Sequence, residues 1–211
     1  REVHILGFFF DPCAPKLNLQ FERQKNVRQQ RVHDICDKLS TLNVHINADE
    51  ILASAKGNVG RPHVAQMLLK HKYVSNFNQA FQKYLGRDSP GFVDVDRVSA
   101  EHAIDLIHEA GGISVIAHPG VEKLDGRLST LKEMGLDGVE VNHPAHKGST
   151  KTALKAQAKR LGLLVSGGSD SHGRHSPCKL GDLGITVDEL EQLRASANRR
   201  RSRLNMPEYQ L

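Results

Sequence analysis

A chain of 211 residues, 38% hydrophobic and 25% charged, is long enough to bury a sizeable core and carries no disorder signature. No apolar run approaches the roughly 18 residues that a bilayer crossing needs, so no membrane contact is expected. The net charge of +5 favours anionic ligands without singling out nucleic acid.

Three distant cysteines, Cys13, Cys36 and Cys178, lack metal-site spacing and point to a reducing, cytoplasmic setting. The chain opens on Arg1 in a strand-like run with no signal-peptide pattern, so it is expected to be part of a longer product. Twelve histidines is a high count, and several fall at predicted strand ends.

Val3–Phe10 reads as a strand, with His4, Leu6 and Phe8 on one face and Asp11-Pro12 ending it. A long helix follows from about Leu17 to Leu42. Asn47-x-x-Glu50 has the form of a capping box and opens a short helix through Ala55. Pro62 suits the first turn of the next helix, and Ser75 is expected to cap another that carries Phe77, Ala80, Phe81, Tyr84 and Leu85. Residues 16–88 are thus expected to form an inserted helical subdomain, leaving 1–15 and 89–211 for an α/β portion.

After Pro90 the pattern changes. Ser99 caps a helix through Ala110, and the strand Ile113–Ala117 ends in His118-Pro119. A helix over about Gly126–Met134 leads to the strand Gly138–Val141, which runs into Asn142-His143-Pro144-Ala145-His146. A helix over about Ser149–Leu161 returns to a strand at Leu163, which stops at Ser166-Gly167-Gly168-Ser169 ahead of Asp170-x-His172. This is β-α-β-α-β, suited to a parallel sheet or barrel. The last helix, about Val187 to Arg199, ends in Arg199, Arg200, Arg201 and Arg203; solvation at a helix C-terminus accounts for such a run.

Three consecutive parallel-type strands therefore end in His118, in Glu140-x-x-His143 and in Asp170-x-His172. In extended chain, residues two apart point the same way, so Asp170 and His172 converge just past a buried strand. Imidazole and carboxylate together suit manganese, iron or zinc better than magnesium, which prefers oxygen. A polar turn closed by an Asx-type hydrogen bond explains Asp170 equally well in isolation. Three strand ends in register favour a shared site, which His4 joins if its strand pairs nearby.

Val3-His4-Ile5-Leu6-Gly7, Gly60-Arg61-Pro62-His63, Ala117-His118-Pro119, Gly138-Val139-Glu140-Val141 and Gly167-Gly168-Ser169-Asp170-Ser171-His172-Gly173 occur in the order seen in one family. Over about residues 2–184 the chain resembles PHP-domain metal-dependent phosphoesterases, in the TrpH-like branch with a helical insertion. The resemblance implies an α/β fold, a distorted (β/α)7 barrel, that binds two or three divalent ions at its strand ends. It implies hydrolysis of phosphate esters in a small phosphorylated substrate, a nucleotide or short RNA. His4, His118, Asp170 and His172 are then metal ligands, with His118, Asp170 and His172 catalytic. Arg61 and His63 would hold substrate phosphate, and Glu140, His143 and His146 would be supporting or substrate contacts.

The resemblance also marks a departure. The family carries a His-x-His-x-x-x-x-Asp strand, a Thr-Asp-His strand and a strand with a bridging glutamate ahead of the position of His4. None is present here, so the resemblance implies an N-terminally truncated barrel holding part of the ligand set. Two other functions stay open. One is a metal-free nucleotide- or RNA-binding fragment, set against an aromatic content of 5% and no Trp. The other is an amidohydrolase-type C–N hydrolase, for which no strand-end lysine is in place.

Overall fold

The computed structural model describes residues 3–55, 57–171 and 178–210. Its contacts divide the chain into two compact units, 1–17 with 98–211 and 18–97, the division falling inside the first helix.

The unit 18–97 is helical. It takes most of α1 (Pro15–Ser40), then α2 (Ala48–Ser54), α3 (Arg61–Lys70) and α4 (Phe77–Ala80), which widens into one π-helical turn over Phe81–Leu85. The apolar positions at helical spacing on α1 (Val32, Ile35, Cys36 and Leu39) are buried against Val64, Leu68 and Leu85. Burial, with Asp37 beside it, pushes the Cys36 thiol up to about 11, so the group stays protonated.

Two expected caps are rearranged. Asn47 accepts from the N–H groups of Asp49 and Glu50, but the Glu50 carboxylate turns to Lys70 at 2.6 Å, so the capping box is half formed. Asn76, not Ser75, caps α4 by accepting from the Gln79 N–H at 2.9 Å. Both residues are good caps, and the chain selects the one whose neighbour can also be held: the Ser75 N–H donates to the Gln79 side chain at 2.6 Å.

The unit 1–17 with 98–211 carries a four-stranded sheet in the order β1 (Ile5–Phe8), β2 (Ile113–Ile116), β3 (Gly138–Asn142), β4 (Leu164–Gly167). The pairs β2–β3 and β3–β4 are parallel, as the alternating elements required. β1 is antiparallel to β2, with Ile5 opposite Ile116 and Phe8 opposite Ile113. Helices α5 (Ala100–Glu109), α6 (Leu128–Glu133), α7 (Gly148–Leu161) and α8 (Val187–Arg203) accompany the strands.

Ile116, Val139 and Val141 pack with Ile104, Leu128, Leu131, Leu154 and Ala158, while Ile113 packs with Leu193 and Ala197 of α8. β2 and most of β3 are buried, which is why both read as nearly continuous apolar runs. Among the described residues no helix is long and apolar enough to cross a membrane.

The arginine run at the end of α8 is not merely solvated. Arg200 donates to Asp137 and to the Gly112 carbonyl, and buried Arg201 donates to the carbonyls of Phe9 and Pro207. Both point into the protein because Asp137 and the turns at Phe9 and Gly112 supply acceptors no helix end could.

Candidate active site

The direction of β1 decides what gathers at the carboxyl ends of β2, β3 and β4. Being antiparallel, β1 starts where those strands finish, and the Ala117 N–H donates to the His4 carbonyl at 2.9 Å. The His4 Nδ1 then lies 3.2 Å from the His118 Nε2, with the rings edge to face. His143 follows, its ring centroid 5.3 Å from that of His118, and its Nε2 is 3.3 Å from Asp170 Oδ2. His4, His118, His143 and Asp170 thus form one line across the end of the sheet. His172 lies outside the described residues.

The backbone there is unusual. His118 and Asp170 adopt φ of +32° and +46°, a region that non-glycine residues seldom enter and that collects at functional sites. Glu140, buried on β3, accepts the His118 backbone N–H at 2.7 Å and so holds that residue in place. Gly167 has to be glycine: a Cβ there would stand 2.5 Å from the Cβ of Asn142.

His146 has a different part. Its Nδ1 donates to the Val141 carbonyl at 3.0 Å, so its Nε2 accepts the Gly120 N–H at 3.2 Å. Both ring nitrogens are engaged, in a clasp between the loops after β2 and β3. Gly120 permits the approach, since a Cβ would meet Thr150 at 2.7 Å and the His146 ring at 3.0 Å.

His143 Nδ1 accepts from the Ala145 N–H at 3.2 Å, which leaves a proton on Nε2. That Nε2, the His118 Nδ1 and the Ser166 Oγ are buried polar atoms without a hydrogen-bond partner among the described residues. Asp170 Oδ2 is near that Nε2, but the contact lacks hydrogen-bond alignment. In the sequence Ser166 reads only as the start of the turn that stops the strand; the signal for a further part was a small hydroxyl at the end of the apolar Leu163-Leu164-Val165 run.

The facing nitrogens of His4 and His118 have a spacing compatible with a shared divalent ion. Two nitrogens bonded to one tetrahedral zinc at about 2.0–2.1 Å stand about 3.4 Å apart, close to the separation of His4 and His118. Among the described residues no three His, Cys, Asp or Glu side chains are arranged to hold a metal.

Arg61 and His63 belong to the helical unit. The Arg61 guanidinium donates to the Leu85 carbonyl at 3.1 Å and lies 5.7 and 5.6 Å from the ring centroids of Phe81 and Phe92. His63 Nδ1 accepts the Gly60 N–H at 3.2 Å, securing the start of α3.

The other end of the sheet holds a network that no motif announced. Asp137, just ahead of β3, accepts from the Ser114 N–H at 2.8 Å, from His108 Nε2 at 2.8 Å and from both terminal nitrogens of Arg200. Burial alone would raise its carboxyl, but bonds from His108, Arg200 and Ser114, with the Arg200 charge, hold it well below the usual carboxylate range. A cavity of about 480 Å³ near α5 is lined by Ala14, Leu17, Leu106, Ala110 and Leu204, with Lys16 and Glu109 paired at its edge. Its mostly apolar wall lacks the convergent polar groups of a reaction site.

No family model matches the chain. A 5'-3' exoribonuclease of Haemophilus influenzae is 34% identical over 198 residues, 92% of this chain and 71% of the relative. A 3',5'-nucleoside bisphosphate phosphatase of Chromobacterium violaceum is 30% identical over 197 residues, 88% of this chain and 67% of the relative. Among solved structures, a Bifidobacterium adolescentis protein described as a metal-dependent phosphoesterase superposes with a TM-score of 0.75 at 28% identity, over 92% of this chain and 71% of that one. A Chromobacterium violaceum protein described as an amidohydrolase, with sulfate bound and no metal, gives 0.72 at 26% identity, over 92% and 72%.

Proposed function

The chain belongs to the PHP family of phosphoesterases, and on that premise we propose that it hydrolyses phosphate esters of nucleotides or short RNA with divalent metal ions. The relatives are named for such substrates, an exoribonuclease and a nucleoside bisphosphate phosphatase among them. The observation that carries the reading is the line His4–His118–His143–Asp170, with two buried imidazole nitrogens left without partners where the strands end.

His4, His118, Asp170 and His172 are assigned as ligands, for manganese, iron or zinc, in a distorted barrel whose complete site takes two or three ions. When bound, such ions supply Lewis acidity toward the phosphoryl oxygens and make water nucleophilic at neutral pH. Glu140 fixes His118 through its backbone, so the imidazole is aimed before a ligand arrives. His143 presents Nε2–H from a buried ring beside Asp170, from which it can donate a hydrogen bond to a phosphoryl oxygen. Arg61 and His63 are assigned to the substrate phosphate, Arg61 already braced by Phe81 and Phe92.

The test is to titrate manganese and zinc separately into the full-length protein and assay phosphate release from a 3',5'-nucleoside bisphosphate. Mononucleotide release from a 5'-phosphorylated oligoribonucleotide is measured in parallel, with an amide panel alongside. Metal-dependent turnover of phosphate esters is expected. Nucleotide binding that is indifferent to chelator, without turnover, would establish a binding module instead; turnover of amides alone would establish C–N hydrolysis.

A further inference from the structure

The helix that leaves the histidine-bearing loop has an unbalanced charge pattern. α7 reads Gly-Ser-Thr-Lys-Thr-Ala-Leu-Lys-Ala-Gln-Ala-Lys-Arg-Leu, with four cations and no acidic residue. Lys151, Lys155 and Lys159 recur every fourth residue, and Lys147 at the N-cap extends the series one turn back toward His146. Like charges at that spacing are neighbours on a helix surface and weaken it. Among the described residues only Lys155 has an ion pair in this series, with Glu189 at 3.9 Å, the outer limit of such a contact. Closer pairs exist on other elements, Lys16 with Glu109, Lys70 with Glu50 and Arg194 with Glu191.

The position of the stripe gives it a direction. Lys147 follows His146 directly, and His146 is clasped to Val141 and Gly120 beside the candidate site. From there the lysines step along the helix by about 6 Å each, winding slowly around it over about 18 Å. Leu154 and Ala158 face the core, whereas Lys155 and Lys159 are exposed and Lys151 half-buried. The first turn of α7 holds no acidic residue, and Lys147 provides no side-chain cap there. A row of evenly spaced cations that starts at a phosphoesterase site matches a row of evenly spaced anions. An extended single strand of RNA presents such a row, and contacts to its phosphates give affinity without sequence preference.

We propose that the Lys147–Lys159 face of α7 is a phosphate track that holds the body of an oligoribonucleotide whose end occupies the site. The proposal rests on the phosphoesterase reading above and extends it: the lysines discriminate chains from single nucleotides. They take no part in bond cleavage.

The experiment compares full-length wild-type protein with a Lys151→Gln, Lys155→Gln, Lys159→Gln variant, and with Arg199→Gln, Arg203→Gln on α8 as a charge control. Binding of a fluorescent 5'-phosphorylated twelve-residue oligoribonucleotide is measured by anisotropy across a salt series, without metal. For the α7 variant the slope of log affinity against log salt is expected to shrink by about 2, at about 0.7 per lost phosphate contact. Affinity near physiological salt should fall about ten-fold or more by the same reasoning, while the α8 control stays close to wild type. Turnover of a 3',5'-nucleoside bisphosphate should be unchanged by the α7 substitutions, and melting temperature equal or higher, because a self-repelling row has been removed.

An unchanged salt slope in the α7 variant, or an equal loss in the α8 control, overturns the track. So does a loss confined to anionic phosphatidylserine vesicles, which would make the stripe a membrane-facing surface. Failure of the wild type to hydrolyse any phosphate ester would remove the phosphoesterase reading, while the binding series would still report on the lysines by themselves.

Discussion

The two ends of one sheet are built on opposite terms. At the end where β2 and β3 begin, Asp137 is surrounded by donors from Ser114, His108 and Arg200, and its carboxylate has a partner for each oxygen. At the end where those strands finish, His118, His143 and Ser166 each keep a buried polar atom without a partner among the described residues, and two residues sit in left-handed backbone. The first end stores stability. The second forgoes it, which is what a site that binds something else has to do.

The largest effect should come from breaking the satisfied end. Asp137→Ala leaves the Arg200 charge and the His108 ring uncompensated in a half-buried pocket, and is expected to cost about 3–5 kcal/mol in urea unfolding. The pH dependence follows with a definite sign. The folded carboxyl is held below its ordinary range, so its contribution is complete above the unfolded value of about 3.9 and is lost as pH falls below it. The stability difference between wild type and Asp137→Asn should therefore be flat from pH 5 to 7 and shrink in stronger acid. A difference that grew as pH fell would remove Asp137 from its assigned role.

The other end should answer in reverse. His118→Leu removes one buried nitrogen that has no partner and one that meets only His4, so unfolding of the metal-free protein should change by no more than about 1.5 kcal/mol. Phosphate release should nonetheless fall about 100-fold or more, because a proposed ligand is gone. If His118→Leu destabilised the protein as much as Asp137→Ala, the contrast between the two ends would collapse.

Gly120→Ala sharpens the comparison further. The new methyl would press on Thr150 and the His146 ring, costing about 1–3 kcal/mol by overpacking and reducing turnover as the clasp shifts. The smallest change expected is in Glu140→Gln, which keeps an acceptor for the His118 N–H. It should lower stability by about 0.5–1.5 kcal/mol and lower manganese affinity measurably by calorimetry.

The two ends were also unequally legible. The strand-end residues proposed for chemistry stand in short signatures, such as Ala117-His118-Pro119 or Gly168-Ser169-Asp170, because a strand end has to stop, turn and present a side chain within a few positions. The stabilising cluster has no such signature: Ser114, His108, Asp137 and Arg200 come from separate elements and meet only through packing. Local patterns likewise revealed the parallel β2–β3–β4 arrangement, since capped helices separate those strands. They were silent on the direction of β1, which depends on a partner beyond the helical unit. Arg200 and Arg201 read as a solvated tail for the same reason, their acceptors being remote in sequence. Local steric detail defeated the reading in a third way: the turn Phe81–Leu85 widens to a π-helix, closed by the Gly86 N–H on the Phe81 carbonyl at 2.7 Å.

That antiparallel first strand has a consequence for the order of assembly. β2, β3 and β4 are joined by compact crossovers and can form as neighbours, whereas pairing Phe8 with Ile113 closes a loop of more than a hundred residues. β1 is therefore expected to dock late and to open first, its amides exchanging with solvent through smaller fluctuations than those of β3. His4 travels with it. The histidine line across the sheet is then completed only by the last folding event, so partly folded chains would hold three of its four members and lack the fourth.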